Sequence, residues 1–168
     1  HRDVERLGLR VVLLQAVEQA YPIAQAWFRT KARLLGLPEL MIYDQYAPLD
    51  QREQAVPWAD ARRLVEESYP AIDPGFGAIA REVFARNWVD AEPRDGKRGG
   101  AYCSYPSPAL HPWILCNYMG TPRDVMTVAH EMGHALHAML GRAQSPFNYH
   151  STLPLAETAS VFGEMVVF

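Results

Sequence analysis

A run of thirteen residues, 126–138, constrains this chain more than any other feature of its sequence. It contains the motif H-E-x-x-H, with His130 and His134 four residues apart. Residues at this spacing lie one above the other on the same face of an α-helix. If the run is helical, both imidazoles can reach a single metal ion, and Glu131 projects beside that ion.

The residues that flank the motif predict a helix across it. Thr121 is a candidate N-cap, Pro122 fits the first helical position, and Asp124 favours the free N–H groups of the first turn. Gly141 fits the stop at the other end. The motif therefore lies in the helical context that a paired-histidine metal site requires.

A third metal ligand is predicted on the next helix. Catalytic zinc usually takes three protein ligands and keeps one position for water. Glu157 is the best candidate, because it lies 23 residues after His134, which lets the first helix end and a second, over residues 155–168, return antiparallel. Glu164, seven residues further on, lies on nearly the same face and can accept the spare ring N–H of a ligand histidine. A surface glutamate is the alternative reading of Glu164.

The predicted chemistry is zinc-dependent hydrolysis with one zinc ion per chain. Zinc lowers the pKa of bound water towards ~7, and Glu131 is the expected general base. His137 is interpreted as a core or supporting histidine rather than a ligand. Tyr149 and His150, in the loop between the two helices, can donate a hydrogen bond to a developing oxyanion, although loop polarity explains them equally well.

Composition excludes several other classes. The 168 residues, 49% hydrophobic and 21% charged, are typical of a globular domain, and no apolar run approaches the length of a membrane span. A net charge of −3 predicts neither a nucleic-acid nor a membrane partner. Cys103 and Cys116 are too few for a disulfide framework, so free thiols and a cytoplasmic location are predicted. Oligomeric state is left open.

The remaining pattern predicts a mainly α fold with two or three short strands. We expect one helix over 3–35 that Pro22 interrupts, starting a second helix or a kink, and an exposed edge strand at 113–118 after Pro112. An exposed edge could pair with an extended peptide. The other predicted elements are helices at 60–67 and from 73 to about 88, and a strand at 101–105. Both ends resemble cuts, so residues 1–168 are expected to form a single partial domain.

The residues of the motif and several other segments resemble the M3 family of zinc oligopeptidases, and within it the oligoendopeptidase F group. The segments that carry the resemblance are C-N-Y-M-G-T at 116–121, V-A-H-E-M-G-H-A-L-H at 128–137, L-A-E-T-A-S at 155–160 with Glu164 beyond it, G-K-R-G-G-A-Y-C at 96–103 and Y-D-Q-Y-A-P at 43–48. Their order and gaps agree with the family over most of the chain from about residue 40.

The resemblance implies a helical zincin-type metallopeptidase core with a small β-sheet beside the motif helix, enclosing a deep channel. It implies zinc held by His130, His134 and Glu157, Glu131 as the base, and short peptides as substrates. Tyr102 is a further candidate for contact with a ligand residue or with the substrate. It makes residues 1–168 the central part of an M3-type catalytic domain, truncated at both ends. A His- and Tyr-bearing segment beyond the third ligand is then missing, so we expect zinc binding to survive in the fragment and full activity to be lost.

Two alternatives stay open at this point. A zinc carboxypeptidase of related fold would need a cation to clamp the substrate's terminal carboxylate, and Arg98 or Arg123 could serve. A helical scaffold with a structural or vestigial metal site would have no use for Glu131, which argues against it.

Overall fold

The computed structural model describes residues 2–49 and 55–168, and the chain divides into two compact units. The first unit is His1–Glu53 and the second is Gln54–Phe168. Among the described residues, no helix has both the length and the apolar character needed to cross a membrane. Both cysteines are free.

The first unit is built on one long helix, α1 (Arg2–Leu34). This helix continues through Pro22, so the first of the two expected outcomes, a second helix, is wrong, and a kink stays a prediction. Proline removes one hydrogen bond from the ladder, while the turns on either side keep theirs. A 3₁₀ turn, Ile42–Asp44, follows it. Many of the large apolar side chains of α1 are exposed, among them Val11, Leu14, Val17, Tyr21 and Trp27.

The second unit opens with two helices, α2 (Trp58–Ser68) and α3 (Pro74–Ala85). α3 begins as predicted, because the Asp73 carboxylate accepts hydrogen bonds from the N–H groups of Gly75 and Phe76. It ends before the predicted Trp88, where Asn87 adopts a φ of 56°. The core includes Val65, Tyr69, Val83, Ile114, Val128 and Met132, all fully buried.

Three short strands form a small sheet in the order β1–β3–β2. They are β1 (Val89–Asp90), β2 (Tyr102–Ser104) and β3 (Trp113–Leu115). β3 runs parallel to β1, with Val89 opposite Ile114, and antiparallel to β2, with Cys103 opposite Ile114. The prediction of a mainly α fold with a small sheet is confirmed.

The expectation that the strand after Pro112 is an edge strand is wrong, because β3 is the central strand. Pro112 precedes the ladder, so its missing N–H costs the sheet nothing. Within β3, the Ile114 N–H bonds to the Trp88 carbonyl at 2.8 Å. Of the described strands, β1 and β2 are the two edge strands, and β2 packs against the motif helix.

The motif helix, α4 (Pro122–Leu140), begins at the predicted cap. Thr121 accepts a hydrogen bond from the Asp124 N–H, and the Asp124 carboxylate accepts one from the Thr121 N–H at 2.8 Å. This reciprocal pair is a capping box, which satisfies two of the free donors at the helix start. A one-turn helix, α5 (Pro146–Tyr149), leads to the last helix, α6 (Leu153–Val167).

α4 and α6 pack closely and run antiparallel, as the sequence predicts. Gly133 of α4 faces Ala159 and Ser160, whereas Ala129, one turn earlier, faces Gly163. Cβ atoms built on Gly133 and Gly163 would overlap the opposing backbone, and one on Gly163 would lie 3.0 Å from the Gly133 Cα. Glycine at both positions therefore allows the two backbones to touch.

We expect Gly133→Ala to lower the free energy of unfolding by about 1–3 kcal/mol, as overpacked positions do. The new methyl group would force α6 away from α4, because the obstacle is the backbone of Ala159 and Ser160. Urea unfolding measures the loss. Gly99→Ala is the matched control, since a Cβ there meets nothing within 4 Å. Equal stability of the two variants would contradict this account of the helix pair.

Candidate metal centre

Side-chain atoms of His130, His134 and Glu157 converge between α4 and α6. The Oε2 atom of Glu157 lies 3.4 Å from Nε2 of His130 and 3.7 Å from Nε2 of His134. One donor atom from each of the three residues lies within 4.8 Å of the others, so the group could hold a metal ion. The part of the chain that is described contains no second group of this kind.

The donor set fits a divalent transition metal. Two imidazoles and a carboxylate form a common three-ligand set of catalytic zinc sites. Burial lowers the pKa of His134 more than the neighbouring Glu157 carboxylate raises it. The neutral imidazole, the form that binds a metal, is therefore favoured at this position.

Glu164 contacts the first of the two histidines from α6. Its Oε1 atom lies 2.6 Å from Nδ1 of His130. Since Nε2 of His130 faces Glu157, a proton on Nδ1 donated to Glu164 leaves Nε2 free as a lone-pair donor. Both glutamates of α6 thus contact the same imidazole, one at each ring nitrogen.

Glu131 is a buried carboxylate beside the convergent donors. It is 5% exposed, and its Oε2 atom has no hydrogen-bond partner among the described residues. Burial raises the pKa of Glu131 to about 7; His130 opposes the rise, Glu157 adds to it, and a backbone hydrogen bond from Cys103 opposes it. A carboxyl group with this pKa can both accept and release a proton near neutral pH.

A cavity of about 300 Å³ opens onto these side chains. It is lined by His130, Glu131 and His134 of α4, by Leu153, Ala156 and Glu157 of α6, and by Ala101, Tyr102, Cys103 and Tyr105 in and beside β2. Tyr102 lines this cavity and is 42% exposed, with the Arg98 guanidinium 5.9 Å from the centre of its ring. The cavity thus lies between β2 on one side and the helices α4 and α6 on the other.

Tyr149 and His150 lie outside the lining of this cavity as described. The rings of both contact Tyr105, at centroid distances of 5.9 and 5.3 Å. Tyr149 is buried and its hydroxyl has no described partner, whereas His150 is exposed and its Nε2 lies 3.4 Å from the Pro106 carbonyl. Tyr105, which both rings contact, lines the cavity, whereas Tyr149 and His150 do not. A hydrogen bond from either residue to an oxyanion stays a prediction.

Sequence reasoning missed three contributors to the site. Tyr105 and Cys103 line the cavity, and the Ser160 hydroxyl donates to Glu157. The spacing of Ser160, three residues after Glu157 on a helix, was a usable signal. The other two depend on how β2 lies against α4, which no local pattern encodes. His137 is half-buried and is not among the convergent donors.

The fold and site define a mainly helical protein whose two antiparallel helices bring a His-His-Glu set together beside a buried glutamate. The model of peptidase family M3 matches residues 9–168. The chain belongs to this family, which confirms the resemblance drawn from the sequence.

Named relatives agree with this assignment. The chain is 31% identical over 159 residues to an oligoendopeptidase F homolog of Lactococcus lactis, covering 93% of the chain and 26% of that protein. It is 27% identical to oligopeptidase PepF of Bacillus subtilis, covering 92% of the chain and 23% of PepF. The chain thus spans about a quarter of the length of these relatives.

Solved structures carry the same fold. A crystal structure from Chlamydophila abortus superposes with a TM-score of 0.74 at 32% identity, covering 94% of the chain and 26% of that protein. Pz peptidase A, solved with an inhibitor, gives a TM-score of 0.73 at 27% identity, and the match covers 88% of this chain and 28% of that protein.

We expect Glu164→Gln to weaken metal binding by about tenfold. This is the lower end of the loss in affinity usual when a hydrogen-bond partner of a metal-ligating histidine is removed. A neutral amide accepts the Nδ1 proton of His130 less strongly, which reduces the basicity of Nε2. Competition with a chromophoric chelator measures the affinity. Glu82→Gln, which removes an exposed carboxylate paired with Arg86, should leave it unchanged. Equal affinities of the two variants would exclude this role for Glu164.

Proposed function

We propose that the protein is a zinc metallo-endopeptidase that hydrolyses peptide bonds in short oligopeptides. The observation that carries the proposal is the convergence of His130, His134 and Glu157 beside the buried carboxylate of Glu131. Membership of peptidase family M3 supports peptide-bond hydrolysis, and relatives named oligoendopeptidase F support short peptides as the substrate class. The two free thiols agree with a cytoplasmic location.

In this proposal His130, His134 and Glu157 hold the zinc ion. When bound, zinc supplies a Lewis acid that polarises a carbonyl and acidifies water. Glu131 accepts a proton from the attacking water and passes it to the nitrogen of the leaving amine. Its burial suits the first transfer, because burial raises the pKa of the carboxyl group and so favours acceptance of the proton.

The substrate backbone is proposed to lie along β2. This strand borders the cavity and pairs with β3 on one side, with no described strand on the other. An extended peptide can add to such an edge by main-chain hydrogen bonds, which select for an unfolded segment rather than for particular side chains. The pairing with an extended peptide that the sequence predicted for residues 113–118 is therefore proposed for Tyr102–Ser104 instead.

A carboxypeptidase remains the nearest alternative, and Arg98 is the cation that favours it. Its guanidinium lies over the ring of Tyr102, which lines the cavity, so a terminal carboxylate could meet it near the mouth. A peptide blocked at both ends separates the two functions. An endopeptidase cleaves it internally, whereas a carboxypeptidase leaves it intact.

We expect Glu131→Gln to reduce kcat on a blocked peptide by about 10²–10⁴-fold, the usual contribution of a general base. The amide cannot accept a proton, yet it has nearly the size of the carboxylate, so one zinc per chain should stay bound. The assay uses the protein expressed from its complete reading frame, with zinc measured by elemental analysis. Glu82→Gln serves as the control for an exposed glutamate.

Three results would overturn parts of this proposal. Full activity of Glu131→Gln would remove its role as the base. Activity confined to peptides with a free carboxyl terminus would favour the carboxypeptidase. Folding that depends strictly on zinc, without any peptidase activity, would favour a structural metal site.

A further inference from the structure

A buried serine contacts the carboxylate of the proposed third ligand. Ser160 of α6 is 0% exposed, and its Oγ lies 2.8 Å from Oε2 of Glu157. This is the same oxygen that lies 3.4 Å from Nε2 of His130 and 3.7 Å from Nε2 of His134. The hydroxyl thus meets the one atom of Glu157 that faces both histidines.

The Ser160 hydroxyl has two acceptors for its single proton, and both belong to Glu157. The second is the Glu157 main-chain carbonyl, at 2.9 Å. Helical serines and threonines often bond back to a carbonyl three or four residues earlier, so this second contact alone is ordinary. The carboxylate is the stronger acceptor, because a hydrogen bond to an ionised group is roughly twice as strong as one between neutral groups.

The exposure of the Glu157 side chain makes this contact important. The Glu157 side chain is 46% exposed, so solvent can compete for its carboxylate. Fixing a glutamate side chain in one conformation costs up to about 2 kcal/mol of rotamer entropy. A donor buried at the helix interface holds the carboxylate towards the histidines and meets part of that cost before a metal binds.

The packing of α4 against α6 fixes the serine itself. The Ser160 Cα would lie 2.8 Å from a Cβ built on Gly133, so the serine is pressed against the α4 backbone. Because the whole residue is buried, its hydroxyl cannot turn to water, and the packed helix pair fixes the backbone that carries the donor.

We propose that Ser160 is a positioning residue that orients the Glu157 carboxylate towards His130 and His134 for metal binding. The inference rests on the proposed zinc site, and it adds a residue that acts through Glu157 without touching the metal. Zinc affinity, rather than activity, is the quantity it should change.

The test compares zinc affinity in wild type and Ser160→Ala, each expressed from its complete reading frame, by competition with a chromophoric chelator. We expect a 10–100-fold loss, the range for partners of metal ligands. Thr158→Ala is the matched control. Thr158 also bonds back to a helix carbonyl, that of Pro154 at 2.8 Å, but its hydroxyl is exposed and does not contact Glu157. Its zinc affinity should match that of wild type.

A double-mutant cycle separates positioning from a general effect on folding. With Glu157→Ala in the background, the hydroxyl has no carboxylate to hold, so adding Ser160→Ala should change the remaining zinc affinity by less than about threefold. Thermal unfolding in the presence of a chelator checks that Ser160→Ala and Thr158→Ala fold equally well.

Each outcome decides the matter. A loss confined to the variants that retain Glu157 supports the proposal. Unchanged affinity of Ser160→Ala, or an equal loss with and without Glu157, overturns it while leaving the zinc site intact. A wild-type protein that binds no zinc overturns both this inference and the proposed function.

Discussion

The candidate site depends on the direct contact of two helix backbones. Gly133 of α4 lies against Ala159 and Ser160 of α6, and Gly163 lies against Ala129. Any side chain at either glycine would push the helices apart. With the helices this close, a carboxylate from α6 reaches the histidines of α4 across only a few ångströms. Glu157 and Glu164, about two helical turns apart, reach the same imidazole.

The same contact explains the electrostatics of the site. Because the helix pair and the small sheet exclude water from one side of the motif, Glu131 is buried beside a cavity that is open on the other. Burial raises its pKa, whereas Glu157 and Glu164 remain partly exposed. Three carboxylates within one site thus differ in environment. Only Glu131 among them is buried, whereas Glu157 and Glu164 contact histidines of α4.

Local patterns predicted most of what lies on α4 and α6. The capping box at Thr121 and Asp124 and the return of α6 follow from helix chemistry and from spacing. The sheet was predicted less well, because strand order depends on tertiary pairing. Pro112 suggested an edge strand, yet β1, only two residues long, pairs with β3 from a distant part of the chain. Pro22 misled for a related reason, since a long helix can absorb one lost hydrogen bond.

Family membership and geometry together lead to one central claim, a single zinc ion shared by two helices. Anomalous diffraction at the zinc edge, on crystals of the protein expressed from its complete reading frame, tests it most directly. The account predicts one peak about 2 Å from Nε2 of His130, from Nε2 of His134 and from a carboxylate oxygen of Glu157. A peak coordinated by other residues, or zinc-loaded crystals with no peak between α4 and α6, would contradict it.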